Sequence, residues 1–154
     1  MALNKPTPKT RLDDLVAKLR SAGHRITPQR LAIARIVVES EEHPSVEQIH
    51  RQVQKDFPTT SLATVYNTLE RLKEIGEVLE LPFSGGSHYD GRNPRPHPHL
   101  VCTVCGAIED LDIDLGSAAE EVAATRGYAD VRHRLEFYGV CPRCQGRRAM
   151  ENNV

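Results

Sequence analysis

Apolar residues recur every three or four positions through the first half of the chain, which predicts amphipathic helices. The first helix is predicted over 11–22 and ends at Gly23. The second begins with Thr27 as N-cap and Pro28 in the first turn, where a missing N–H costs nothing. The expected inward residues of these two helices are Leu12, Leu15, Val16 and Leu19, then Leu31, Ile33, Ala34 and Val37.

Two further helices follow, and their boundaries are marked more strongly. Ser45 and Gln48 have the spacing of a capping box at the start of the third helix, and Pro58 should end it. Ser61 should cap the fourth helix, and Gly76 should end it. The expected inward residues are Val46, Ile49, Val53 and Phe57, then Leu62, Val65, Leu69, Leu72 and Ile75. The expected outward residues around the fourth helix include Thr60, Thr64, Asn67, Arg71 and Lys73.

The pattern changes after the fourth helix. Residues 78–81 and 88–90 are predicted strands joined by a Phe-Ser-Gly-Gly-Ser turn. Helices followed by a β-hairpin are typical of a winged helix, in which the junction of the third and fourth helices forms a helix-turn-helix. We therefore predict a winged-helix domain over 1–90 and a Gly/Pro-containing linker over 91–96.

The remaining part, 97–154, is predicted to be a second domain with a different pattern. Strands are expected at 100–101, 107–108 and 131–138, the last with strict alternation of apolar and polar residues, and a helix over 115–126. The whole chain is therefore expected to be α+β. A unit of about 60 residues buries a small fraction of its surface on folding and is therefore only marginally stable without further support.

The cysteines offer that support. The chain has four of them, arranged as two C-x-x-C pairs, Cys102 with Cys105 and Cys141 with Cys144. Two such pairs brought together form a closed tetrahedral sulfur site, which suits structural Zn²⁺. The alternative is two redox-active dithiols, but two pairs at this spacing favour zinc.

Composition and charge add two points. Apolar content of 39% and charged content of 27% are ordinary for a globular protein, and the formal net charge is -1. Basic residues predominate among the charged residues up to Arg35, whereas every charged residue from Glu109 to Glu121 is acidic. A polyanion partner for the first domain is one explanation, and a solvated face is the other. No signal-peptide core or membrane span is present in the pattern, so we expect a cytoplasmic protein without membrane contact.

His97 and His99 lie two residues apart between prolines, which favour an extended edge segment. In extended backbone, such residues point to the same side. Asp90 and Asp110 are acids nearby, and a His/Asp cluster suits Fe²⁺, Mn²⁺ or Zn²⁺. Two exposed loop histidines are the alternative. His43, at a helix junction, has by itself no partner in the pattern.

With these motifs assembled, the chain resembles the ferric uptake regulator family. The matching stretches are 23–33, 43–50, 64–76, 97–111 and 133–144. Members are dimeric, metal-dependent transcriptional regulators with an N-terminal winged helix and a C-terminal dimerisation domain. The resemblance implies a homodimer that binds double-stranded DNA at an inverted-repeat operator, and a regulator rather than an enzyme.

The resemblance also implies roles for particular residues. Structural zinc is expected at Cys102, Cys105, Cys141 and Cys144, and a regulatory metal at His43, Asp90, His97, His99 and Asp110. An ion held by both domains would fix their angle, and only one angle suits two recognition helices in successive major grooves. The fourth helix is expected to contact DNA, with candidate contacts at Arg30, Thr64, Tyr66 and Asn67.

The identity of residue 110 favours one branch of the family. An Asp at position 110 resembles the peroxide-sensing branch, whose members have Asp there, whereas iron-sensing members usually have Glu. The resemblance then implies Fe²⁺ or Mn²⁺ as the regulatory ion and oxidation of His43 and His97 by peroxide. The alternative is an iron- or zinc-responsive repressor of metal uptake. A small metal-dependent enzyme using His97, His99 and Asp110 is a hypothesis of another class, although no general base or nucleophile motif accompanies these residues.

Overall fold

The computed structural model describes residues 8–83, 85–113 and 116–151. The chain divides into two compact units, the first ending at Arg95 and the second beginning at Pro96. Both units contain helices and strands, so the α+β prediction is confirmed.

The first unit consists of four helices and a hairpin. These are α1 (Pro8–Ser21), α2 (Pro28–Glu39), α3 (Val46–Val53), α4 (Leu62–Glu74), and the antiparallel strands β1 (Leu79–Phe83) and β2 (Gly86–Asp90). The predicted caps are present: the Thr27 side chain accepts from the Arg30 N–H, and Ser45 and Gln48 form a full capping box. The Ser61 side chain likewise accepts from the Thr64 N–H. This arrangement is a winged helix in which β1 and β2 are the wing.

One hydrophobic core fills the first unit. Its members come from one face of every helix and from the wing: Leu15, Leu19, Ile33, Ala34, Val37, Val38, Val46, Ile49, Val53, Val65, Leu69, Leu72, Val78 and Tyr89. Leu62 was expected to face inward but is 38% exposed, because the first turn of α4 extends past the core. Leu31 is only partly buried, whereas Val38 and Thr68 are buried.

The helix α3 ends earlier than predicted, at Val53 rather than before Pro58. The N–H groups of Lys55 and Asp56 bond to carbonyls three residues back, which tightens the last turn. Thr60 was expected to face outward but is buried, because it lies in the turn before α4. Its carbonyl there accepts a 2.8 Å hydrogen bond from Nε2 of His50.

Two polar networks attach the wing to the helices. Glu77, just before β1, is buried and pairs with Arg11 and Lys18 of α1, and its carbonyl accepts from Nη2 of Arg11 at 2.7 Å. In the wing, the carboxylate of Glu80 pairs with Lys73 of α4 and accepts from the Tyr89 hydroxyl. Burial raises the pKa of Tyr89 to about 12, so this hydroxyl stays protonated and able to donate. The wing is therefore held to α4, the predicted recognition helix.

The second unit is a small sheet with two helices. Its elements are β3 (His99–Cys102), β4 (Ile108–Asp110), α5 (Ala118–Arg126), β5 (Glu136–Gly139) and α6 (Pro142–Glu151). The strand order is β4-β3-β5, with β4 antiparallel and β5 parallel to the central β3. No helix in the described part of the chain has the length and apolar content needed to cross a membrane.

Three predictions for this unit differ from the structure. The strand predicted over 131–138 is limited to β5, since β3 offers backbone partners only over its own four residues. The segment with His97 and His99 is not an edge, because His99 begins the central strand. The predicted helix over 115–126 begins at Ala118, and residue 115 lies outside the described residues. The helix α6 was not predicted.

The second unit has little apolar interior. Among its described residues, the buried apolar side chains are Pro98, Val101, Cys102, Ile108 and Cys144. Large apolar side chains on its surface include Leu100, Val122, Tyr128, Phe137 and Tyr138, with Tyr128 72% exposed.

Candidate metal centres and nucleic-acid interface

The structure brings the four cysteines of the second unit together. Cys102 ends β3, Cys105 lies in the following turn, and Cys141 and Cys144 flank the start of α6. Their Sγ atoms all lie within 4.8 Å of one another, and those of Cys105 and Cys141 are 3.8 Å apart. Zn–S bonds of about 2.3 Å in a tetrahedron give an edge of about 3.8 Å. The four sulfurs therefore fit a zinc ion.

The electrostatics of this cluster lead to the same conclusion. Backbone N–H groups, first that of Cys141 and then that of Cys105, lower the pKa of the Cys102 thiol to about 6. The Ala107 N–H and then the Arg143 side chain lower the pKa of Cys105. Hydrogen bonding with Cys141 and burial raise the pKa of Cys144 to about 12. The cluster thus favours some thiolates but cannot ionise fully by itself, and a divalent cation would supply the missing charge.

A second donor group in the same unit consists of His97, His99 and Asp110, here called the Asp110 trio. Asp110 lies directly opposite His99 in the β3–β4 ladder, so the sheet register sets their contact. Oδ1 of Asp110 is 3.0 Å from Nε2 of His97 and 3.7 Å from Nε2 of His99. The two imidazole centroids are 4.3 Å apart, in line with the predicted same-side geometry. Ligands bound cis to one ion at about 2.1 Å stand about 3 Å apart, so this spacing suits a metal.

The first unit has its own donors, His43 and Asp90, here called the His43 pair. Both side chains are buried, and Nε2 of His43 is 3.6 Å from Oδ2 of Asp90. The other carboxylate oxygen, Oδ1, accepts from the N–H groups of Arg92 and Asn93 at 2.8 and 3.0 Å. The turn after β2 therefore fixes the Asp90 carboxylate with Oδ2 directed toward the imidazole.

A basic cleft of about 520 Å³ lies on the first unit between the start of α2 and the turn before α4. Its lining residues are Arg25, Thr27, Gln29, Arg30, Thr59, Thr60 and Thr64. The lining within the described residues has two guanidinium groups and no carboxylate, and the positive ends of two helices open near it. Nη1 of Arg30 donates to the carbonyl of Arg25 at 2.8 Å, which orients it along the cleft wall. Such a cleft suits a phosphate group.

The predicted nucleic-acid contacts are divided between two places. Arg30 and Thr64 line the basic cleft, although the Thr64 hydroxyl also bonds with that of Ser61 at 2.9 Å. Tyr66, 44% exposed, and Asn67 lie on the solvent side of α4, away from the cleft lining. Arg25, one of the basic residues that predominate up to Arg35, also lines the cleft, although it was not among the individually named candidate contacts.

Comparisons with known proteins agree on one family. A model of the ferric uptake regulator family matches residues 21–138. The peroxide-responsive repressor PerR of Staphylococcus aureus is 41% identical over 137 residues, which are 88% of this chain and 93% of that protein.

Two solved structures have similar folds. The ferric uptake regulator Fur of Helicobacter pylori, which has three functional metal binding sites, matches with a TM-score of 0.74 and 24% identity over 92% of this chain and 95% of that chain. A zinc uptake regulator complexed with zinc and DNA matches with a TM-score of 0.67 and 25% identity over 94% of this chain and 99% of that chain. The first shows the fold alone, and the second was determined with DNA bound.

Replacing Cys102 or Cys141 by serine should remove zinc and unfold the second unit, because metal binding contributes folding free energy to a unit with so small a core. Zinc content by mass spectrometry and secondary structure by circular dichroism check this. The matched control is Thr103→Ser, a change in the same turn outside the sulfur cluster. A single-cysteine variant that kept one zinc per chain and the wild-type spectrum would contradict the structural role.

Proposed function

The chain belongs to the ferric uptake regulator family, and we propose that it is a metal-dependent repressor of transcription that senses peroxide. The observation that supports this most strongly is the 41% identity to a peroxide-responsive repressor over nearly its full length. The donor atoms support the same proposal. The His43 pair and the Asp110 trio offer imidazoles and carboxylates without sulfur, a donor set that suits iron or manganese. The chain is a regulator and not an enzyme.

We assign two metals with different tasks. Zinc at the four sulfurs is structural, because all four ligands come from the protein and leave no open position. The regulatory ion is Fe²⁺ or Mn²⁺. Each unit by itself offers an incomplete donor set for such an ion, two ligands in the His43 pair and three in the Asp110 trio. We propose that both groups bind the same ion.

This sharing would connect metal content to DNA binding. An ion bound by ligands from both units restricts the angle between them. A dimer can place its two recognition helices in major grooves one turn of DNA apart only when the angle between the units of each chain is suitable. Metal loading therefore shifts the population toward the DNA-binding form, and its loss releases the operator.

The sensing step takes place in the ligand residues. Bound Fe²⁺ would activate H₂O₂ beside the imidazoles, and the imidazole ring itself would supply the two electrons that reduce the peroxide. One oxygen atom of the peroxide is transferred to the carbon between the two ring nitrogens of His43 or His97, and the other leaves as water. The resulting 2-oxo-imidazole has lost the lone pair that bound the ion, so it is a poorer ligand. Mn²⁺ would support DNA binding without this reaction.

DNA binding is assigned to the first unit. The basic cleft would hold a backbone phosphate through Arg25 and Arg30, while Tyr66 and Asn67 on α4 would approach the bases. Phosphate contacts fix the register of a protein on the duplex, and groove contacts read sequence. We propose an inverted-repeat operator, because a two-fold symmetric dimer presents two equivalent helices, and action in the cytoplasm where that DNA lies.

The second unit would form the dimer. Leu100 of β3 and Phe137 of β5 are paired across the sheet, so their side chains share one face, and both are exposed. Covering these side chains with a second copy would remove apolar surface from water and add to a small core.

Arg25→Ala and Arg30→Ala should each reduce the slope of log affinity against log salt by about 1, because each removes one phosphate contact. The double variant Tyr66→Ala, Asn67→Ala should instead weaken binding to a selected site more than to random DNA. Fluorescence anisotropy with a duplex selected from a random pool measures both. Arg126→Ala, an exposed change in α5, is the control and should leave the slope unchanged. Wild-type slopes in both cleft variants would refute the phosphate assignment.

Fe-loaded protein treated with about one equivalent of H₂O₂ should gain one oxygen atom on the peptides that contain His43 or His97. Peptide mass spectrometry measures the gain, and release from DNA should follow the same time course. Mn-loaded protein is the control and should stay unmodified. Unmodified histidines together with oxidised cysteines would overturn the proposal in favour of a thiol-based mechanism.

A further inference from the structure

His43 has an unusual backbone conformation. Its φ of 50° lies in the left-handed region, which non-glycine residues rarely adopt. Such a conformation persists only where surrounding contacts hold it, and it is found often at functional sites. The residues that hold His43 therefore determine where its imidazole can lie.

A contact that restrains the His43 backbone comes from the wing. Nδ1 of His88, on β2, is 2.7 Å from the carbonyl oxygen of His43. Because a carbonyl oxygen only accepts, Nδ1 of His88 must bear the proton and donate. The hydrogen bond spans 45 residues of sequence, so no local pattern could have indicated it.

Neighbouring backbone bonds extend this contact into a short strand pairing. Ser45 forms an antiparallel bridge with His88, and the Tyr89 N–H donates to the carbonyl of Pro44 at 3.1 Å. The next residue on β2 is Asp90, the partner of His43 in the His43 pair. Asp90 is thus part of the wing strand, and the backbone of His43 is hydrogen-bonded to that same strand.

We propose that His88 is a positioning residue for the regulatory metal. It holds the backbone of His43 in the left-handed conformation and so directs the His43 imidazole toward Asp90. His88 would not itself bind the ion. This inference rests on the proposed function, since it assumes that His43 binds the regulatory metal.

The chain offers well-matched variants for a test. In His88→Asn, Nδ2 occupies nearly the place of Nδ1 of histidine and can donate the same hydrogen bond, whereas His88→Ala cannot donate. Ser87→Ala alters the same strand but removes a bond to Glu80, not to His43. His43→Ala tests the ligand directly. All are made in the full chain with zinc retained.

Mn²⁺ titration, with free ion measured by electron paramagnetic resonance, is the main experiment. His88→Ala should bind Mn²⁺ about three- to tenfold more weakly, the effect of losing one hydrogen bond. His88→Asn and Ser87→Ala should bind within about twofold of wild type, by the same hydrogen-bond estimate. Zinc content and thermal midpoint are followed in each variant. In metal-free wild type, ¹⁵N NMR should find a proton on Nδ1 of His88.

The outcomes separate the two claims. If His43→Ala binds Mn²⁺ like wild type, the proposed regulatory site is wrong whatever His88 does. If His43→Ala loses Mn²⁺ but His88→Ala does not, only the positioning role is wrong. An equal loss in Ser87→Ala and His88→Ala, or failure of His88→Asn to restore binding, would also overturn it. If His88→Ala does not fold, the wild-type NMR spectrum and His88→Asn decide the question. A proton found only on Nε2 of His88 would overturn the positioning role. A proton on Nδ1, together with intact Mn²⁺ binding in His88→Asn, would support it.

Discussion

The second unit depends on four sulfur atoms meeting at one point. Its described residues bury few apolar side chains, and two of those, Cys102 and Cys144, belong to the sulfur cluster. The sulfur cluster joins the end of β3 to the start of α6, and it does so through residues far apart in sequence. Hydrogen bonding with Cys141 and burial raise the pKa of Cys144 to about 12, which opposes loss of its proton in the absence of a cation. Zinc bound at the four sulfurs would favour the thiolate form and would add folding free energy to this small core.

The same strand that ends in the sulfur cluster begins with His99 of the Asp110 trio. His99 is the first residue of β3 and Cys102 the last, so a stable structural site fixes the strand on which the Asp110 trio is built. In the first unit the wing has the corresponding role, since β2 ends in Asp90 and holds the backbone of His43. Each half of the proposed regulatory site is therefore attached to a rigid element. Because the donors are attached to rigid elements, binding of an ion would change the angle between the units and would not merely shift a loop.

Much of this could be predicted from the sequence because the signals are local. Helix periodicity, the capping box at Ser45 and Gln48, and the two cysteine pairs each lie within a few residues, and the structure contains the corresponding elements. The spacing of His97 and His99 also predicted adjacent rings. The errors have non-local causes. The length of β5 is set by its partner β3, and the role suggested for His88 depends on a contact with His43 across the fold. Thr60 is buried in the turn before α4, where its carbonyl accepts a hydrogen bond from His50, a contact that helix periodicity does not predict.

The central claim is that one ion, bound by the His43 pair and the Asp110 trio, controls DNA binding. The most direct measurement compares operator affinity with and without Mn²⁺, after chelation that leaves zinc in place, for wild type and Asp110→Ala. The account predicts that Mn²⁺ tightens wild-type binding by about 5- to 150-fold, a usual range for coupled sites, and has no effect on the folded, zinc-loaded variant. Equal wild-type affinity with and without Mn²⁺ would contradict it.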